Sequence, residues 1–143
     1  MAGYSETPLV KKLGIKEGSR IALVNPPKTF RKTLGLLPAQ AKVVSQTLED
    51  LDLILFFARK ESELAETFRL LAEKLRPAGI LWIAWPKKSS GVATDLAFNN
   101  VQAVGLSAGL VDTKICAVDE VWSGLKFVFR LKDRSRLMQR SKN

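Results

Sequence analysis

The sequence contains no histidine and a single cysteine among its 143 residues. Lack of histidine excludes Ser-His-Asp and Cys-His catalysis and the usual His/Cys zinc sites, so no metal site is expected. Cys116, alone, cannot close an internal disulfide and reads as a small core residue in the middle of a strand. Long apolar runs are also missing. The longest, residues 53–58 and 80–85, fall well short of the roughly 20 residues that cross a bilayer, and no membrane association is expected. The opening Met-Ala-Gly-Tyr-Ser-Glu has no apolar signal segment, which gives a cytoplasmic location as the expectation. What remains is ordinary globular composition, 46% hydrophobic and 26% charged, which excludes a disordered chain. This length suits one domain, spanning residues 1–131 with 1–18 as an extension packed on it.

Acidic charge is scarce as well: 14 Asp+Glu face 23 Lys+Arg, a formal net charge of +9. The excess is concentrated at the end of the chain. Arg130, Lys132, Arg134, Arg136, Arg140 and Lys142 are offset there by Asp133 alone. A basic, flexible tail over 132–143 can meet phosphate-rich partners, with binding that weakens as salt rises. Equally, it can be a solvated terminus that aids solubility. No aromatic residue interleaves these charges to stack on bases, so nucleic acid is the less favoured partner.

Strand and helix patterns alternate along the chain. Residues 20–25 (Arg-Ile-Ala-Leu-Val-Asn) read as a strand stopped by Pro26-Pro27. A short helix is expected over 28–37 and a short strand over 41–45. Residues 51–58 (Leu-Asp-Leu-Ile-Leu-Phe-Phe-Ala) are almost continuously apolar, as a strand covered on both faces requires. Leu64, Phe68, Leu71 and Leu75 then line one face of a helix over 61–75, ended by Pro77 and Gly79. Residues 80–85 form a second covered strand. Thr94 is expected to cap the next helix, with Asp95 in its first turn, Ala97, Val101, Val104 and Ala108 on its inner face, and Gly109 at its exit. Strands over 111–118 and 125–131 are separated by too few residues for a crossover helix and must be antiparallel. The expected fold is α/β: three layers around an open, mainly parallel sheet of about six strands, with an antiparallel strand near one edge.

The sequence from Leu51 to Leu131 resembles the second half of a class I, S-adenosylmethionine-dependent methyltransferase, a reduced Rossmann-like fold. The likeness lies in Leu51-Asp52-Leu53-Ile54 opening a central strand, Leu75-Arg76-Pro77-Ala78-Gly79 leading into the next, the Gly109-Leu110 step, and the final antiparallel strand. It implies the strand order 2-1-3-4-6-5. More narrowly, Gly3-Tyr4-Ser5-x-Thr7-Pro8-Leu9, the string from Trp85-Pro86-Lys87-Lys88 through Thr94-Asp95-Leu96, and Val118-Asp119-Glu120-x-Trp122-Ser123 resemble the bacterial domain of unknown function 3052 family. That family implies a fold and no established reaction.

Cofactor-binding methyltransferases resemble Asp-x-Gly-x-Gly-x-Gly after the first strand. Here the sequence reads Val24-Asn25-Pro26-Pro27-Lys28-Thr29, with no glycine. Prolines bring bulk and no N–H where a backbone should approach the nucleoside. The acid expected after the second strand is replaced by Val44-Ser45-Gln46. The sequence therefore predicts no standard S-adenosylmethionine binding and no other cofactor.

In open α/β sheets ligands sit beyond the carboxyl ends of the parallel strands. There the chain offers Lys87 and Lys88 for charge, Ser89 and Ser90 for hydroxyls, Gly91 for close approach, and Thr94 at a helix start: a candidate site for an anionic, nucleotide- or phosphate-bearing small molecule. Asn25, Lys28, Arg59, Trp85, Asp119, Glu120 and Trp122 form its expected rim, the tryptophans offering flat faces. Asp119 and Glu120 can serve as acid and base with Lys87 or Lys88, or simply build a surface turn; with no nucleophile beside them, the turn is favoured. The leading reading is a binding or regulatory module, monomeric or homodimeric. The alternatives are an atypical methyltransferase and a nucleic-acid-binding protein using the tail.

Overall fold

The computed structural model describes residues 7–142, with side chains through 139. The Gly3-Tyr4-Ser5 string and the first six residues of the expected extension lie outside the described residues. Six strands form one sheet in the order β2-β1-β3-β4-β6-β5, the order the methyltransferase resemblance implies. They are β1 (Arg20–Val24), β2 (Lys42–Val43), β3 (Leu51–Phe57), β4 (Leu75–Pro86), β5 (Leu110–Ala117) and β6 (Trp122–Phe129). β1 runs parallel to β2 and β3, and β3 to β4; β6 is antiparallel to both β4 and β5.

Helices cover both faces, giving the three layers. On one face α3 (Glu61–Ala72) and α4 (Phe98–Ser107) bury Leu64, Phe68, Leu71 and Val101 against Ile54, Phe56, Leu81, Ile83 and Phe127. On the other, α1 (Leu9–Leu13) and α2 (Phe30–Leu34) bury Val10, Leu13, Phe30 and Leu34 against Leu53, Leu55, Phe57 and Trp82. Strand β3 is buried on both sides, which explains its unbroken apolar run. The Trp82 indole N–H donates to the Leu13 carbonyl at 2.8 Å and ties α1 to the sheet. No helix among the described residues is long and apolar enough to cross a membrane.

Several boundaries differ from the sequence expectation, each for a local reason. Helix α2 stops at Leu34 because Gly35 adopts a positive φ of 79°. Helix α3 ends at Ala72, and Leu75 belongs to β4 rather than to the helix: Leu75 pairs with Leu51, and the register slips before Ile80 pairs with Leu53. The resulting bulge holds Pro77 without breaking a ladder and needs Gly79, where an added Cβ would stand 2.9 Å from the Arg76 carbonyl. Residues expected to form a flexible tail are instead α5 (Leu131–Lys142), which packs against β4. Two short-range contacts hold its start: Arg134 Nε donates to the Phe129 carbonyl, and Asp133 pairs with Arg136 one turn on.

Candidate functional site

The carboxyl ends of β1, β3 and β4, together with the start of antiparallel β6, bring four segments to one edge of the sheet: 25–28, 59–60, 87–96 and 119–122. Their register is fixed from the sheet outward. Pro86 pairs with Trp122, and the next residue, Lys87, donates its N–H to the Val121 carbonyl at 2.8 Å.

At the end of β1, Asn25 takes a positive φ of 55°, a conformation that asparagine tolerates better than most side chains. Pro26 and Pro27 then turn the chain so that the Pro27 carbonyl accepts from the Phe30 N–H. Phe30 packs edge-on against Phe57, with ring centroids 4.9 Å apart, and Phe57 packs edge-on against Trp122 at 5.1 Å. These three buried rings fill the sheet edge beside the proline turn. The Arg59 guanidinium lies over the Trp122 ring, 5.8 Å from its centroid. The expectation that Trp85 and Trp122 offer flat faces to a ligand is therefore corrected. Both are only 5% exposed: Trp85 packs with the α3–α4 core, and Trp122 sits between Phe57 and Arg59.

The 87–96 loop is shaped by its own polar groups. Lys87 Nζ donates to the Asp119 carbonyl at 2.8 Å. Ser90 Oγ donates to the Lys87 carbonyl and accepts from the Val92 N–H, around a single 3-10 turn (Lys88–Ser90) that exits through Gly91 at φ 75°. Lys88 and Ser89 stay exposed at its tip. Thr94 does not cap the following helix, contrary to expectation: α4 starts at Phe98, and the Asn100 side chain accepts from the Ala97 N–H. Thr94 instead donates to the Arg59 carbonyl at 2.6 Å and accepts from the Leu96 N–H at 3.0 Å. Nor does Asp95 lie in the first turn of α4. Its carboxylate accepts from the Glu61 N–H at 2.8 Å and so caps α3, two segments away in space. An acid placed after a threonine looks like a local cap in sequence, and only the crossing of the two loops reveals its partner.

Asp119 serves the turn between β5 and β6. Its Oδ1 accepts from the Val121 and Trp122 N–H groups, each at 2.8 Å, which satisfies the donors of that turn. It meets Lys87 through its backbone carbonyl, so the contact between them is a hydrogen bond and not an ion pair. Glu120 is exposed beside it. The structure thus joins Lys87, Asp119, Trp122, Arg59 and Thr94 through direct contacts, and leaves Asn25, Lys28, Arg59, Lys88 and Ser89 facing solvent along the same edge.

Two groups with displaced titration lie away from this edge. Burial raises the Cys116 thiol, with Lys12 and Lys114 pulling the other way. Burial lowers the Lys126 ammonium, and Lys114 and Lys16 lower it further. At the opposite edge a cleft of about 560 Å³ opens between Arg69, Glu73, Leu75, Phe129, Asp133 and Arg136. Sequence reading missed it because one wall is α5, which was expected to be a flexible tail.

No protein-family model matches the chain, and no curated protein matches it by sequence. Solved structures do. A SAM dependent methyltransferase from Aquifex aeolicus is similar with a TM-score of 0.59 at 15% identity, covering 83% of this chain and 86% of that one. Fibrillarin from Aeropyrum pernix, in complex with natively bound S-adenosyl-L-methionine, is similar with a TM-score of 0.51 at 14% identity, over 88% and 70%. Magnesium protoporphyrin IX methyltransferase from Synechocystis, with bound SAH, reaches a TM-score of 0.55 at 9% identity, over 85% and 78%. At these identities the likeness establishes architecture, and the chain has the fold of the class I S-adenosylmethionine-dependent methyltransferases.

Proposed function

We propose that this chain is a methyltransferase-like module that does not hold S-adenosylmethionine in the standard pose and instead binds an anionic, phosphate- or nucleotide-bearing small molecule at the carboxyl edge of its sheet. The observation carrying this reading is the turn after β1, where Asn25-Pro26-Pro27 and the buried Phe30–Phe57–Trp122 rings stand where the fold's cofactor binders keep a glycine loop. A nucleoside needs backbone N–H donors and open space there, and two prolines offer neither. The residues at this edge do not fit that cofactor in its standard pose. Exposed Lys28, Arg59, Lys88 and Ser89 supply cations and a hydroxyl to an anion, while Lys87, Ser90 and Thr94 hold the loop that presents Lys88 and Ser89. The Trp85-to-Leu96 string supports placing the chain with the bacterial domain of unknown function 3052 family.

Thermal-shift measurements with nucleotides and phosphorylated metabolites test the anion site. A ligand at a hundred times its dissociation constant adds about 2.7 kcal/mol of stability. Wild type gains this and a Lys28→Ala/Lys88→Ala variant does not. Equal shifts for the two proteins sink the anion site. Calorimetry with S-adenosylmethionine gives no heat at millimolar concentration; saturable binding there replaces this reading with that of an atypical methyltransferase.

A further inference from the structure

Beyond the carboxyl edge, the antiparallel ribbon of β5 and β6 carries a charge arrangement that the fold does not use. Lys114 and Lys126 are directly opposed across the two strands, on the same face of the sheet as Cys116 and Gly124, the side covered by α1 and α2 further along. Like charges in opposed positions repel, and such pairs destabilise a sheet. Two more ammonium groups stand around the pair. Lys16 lies close enough to Lys126 to lower its proton affinity, and Lys12 and Lys114 both act on the Cys116 thiol. Lys12 Nζ donates to the Ala117 carbonyl, at the end of the same ribbon. Among the described residues no carboxylate makes an ion pair with any of these four lysines.

A bulge in β5 keeps the nearest acid in the strand away from them. In a regular strand Asp112 and Lys114, two residues apart, would share a face. The register instead shifts between them: Asp112 pairs with Phe127, whose ring lies in the α3–α4 core, while Lys114 pairs with Lys126. Asp112 is thereby turned to the α4 face, where it accepts from the Gln102 amide at 3.2 Å. Bulges commonly re-aim a side chain in this way.

We propose that the lysine face of the β5–β6 ribbon, centred on Lys114 and Lys126 and flanked by Lys12 and Lys16, docks the phosphodiester backbone of a nucleic-acid duplex. Charge complementarity selects this occupant. On the lysines' own face the flanking pairs are Val111–Val128 and Cys116–Gly124, small side chains that offer too little to anchor a folded protein partner. An acidic peptide adding to the β5 edge would lie in the plane of the sheet, not over the face where the ammonium groups stand. Phosphate contacts need only spaced cations and make binding independent of base sequence. The net charge of +9 adds long-range attraction to the same polyanion. This face is separate from the carboxyl-edge site, and either reading can fail without the other.

The test is fluorescence anisotropy of the full chain with a labelled DNA duplex of about 20 base pairs, titrated at several salt concentrations. Four contacts give a slope of log affinity against log salt of about −3.6, so affinity falls roughly a hundredfold between 50 and 200 mM salt. Lys114→Gln/Lys126→Gln flattens the slope by about 2 and weakens binding at least tenfold at the same salt, roughly. The same variant melts no lower than wild type, because a repulsive pair has been removed, so misfolding does not imitate the loss. Lys32→Gln/Lys42→Gln, which removes equal charge from exposed positions on α2 and β2, stays within about twofold of wild type. The proposal is overturned by undetectable binding at 50 mM salt, by equal losses in the two variants, or by polyglutamate displacing the duplex as well as unlabelled DNA does at equal charge. That last outcome assigns the face to an acidic protein.

Discussion

Gly105 shows how narrowly some positions are set. It lies in α4 facing β6, and a Cβ there would overlap the ring of Phe127, itself fully buried and edge-on to Phe68 at 5.2 Å. Intrinsic propensity favours alanine over glycine in a helix by about 1 kcal/mol, but overpacking a core costs about 1–3 kcal/mol. Gly105→Ala is therefore expected to lose about 1 kcal/mol net in urea unfolding, and a stabilising result would mean that the Phe127 ring yields without cost. Lys126 is the residue-scale test of electrostatics. Its ammonium is lowered from the ordinary value of 10.5 by burial, then by Lys114 and Lys16. Between that lowered value and 10.5 the unfolded chain binds more protons than the folded one, so stability attributable to this group rises with pH across the window. Below the window both states are charged and the full penalty stands. Lys126→Met should accordingly melt above wild type at pH 7, with the gap closing as pH climbs toward 10.5; a gap that widens with pH would reverse the sign.

At the scale of elements, stability rests on contacts that join segments distant in sequence. Asp95 caps α3 from another loop, so Asp95→Ala is expected to cost about 1 kcal/mol in denaturant unfolding while leaving the 3-10 turn of the lysine loop intact. Amide exchange should quicken at Glu61 and the first turn of α3; protection unchanged there would contradict the cap. Helix α1 has five residues and could not persist alone. Its hold on the sheet includes the buried hydrogen bond from Trp82 to Leu13. Trp82→Phe leaves that carbonyl without its donor and removes part of a fully buried ring, an expected loss of about 2 kcal/mol with fastest exchange in α1. Sequence patterning located α3 but not its cap, nor the tie between α1 and the sheet, because a threonine–aspartate pair and a strand tryptophan each have a nearer local explanation.

For the whole molecule, the excess of positive charge opposes compaction, and screening relieves it. Melting temperature should rise as sodium chloride increases from 20 to about 300 mM, in contrast to binding of a duplex, which weakens over the same range. The same scale decides how much was legible beforehand. The covered strands, the two helical layers and the antiparallel ribbon followed from apolar runs, helical spacing and the short link before β6, while the order of the six strands came from the methyltransferase resemblance. Those signals are local periodicities, and a sheet buried on both sides leaves few other arrangements for them. Less legible was the candidate site. Trp85 and Trp122 read as ligand platforms and turned out to be packed, while Thr94 and Asp95 read as one helix cap and turned out to serve another turn and another helix. The tail read as flexible and forms α5, closing a cleft that no residue pattern announced.

Sequence alone determined the α/β class, the parallel core strands and the proline turn after β1, because each is written in the spacing or backbone chemistry of neighbouring residues. Tertiary structure decided which polar groups remain available. Whether Lys87 is free or occupied, which helix Asp95 caps, and that Lys114 faces Lys126 while Asp112 turns away, all depend on strand register and on a bulge at Thr113. A one-residue slip moves a side chain to the opposite face of a sheet, and a single sequence does not encode that slip in any local pattern.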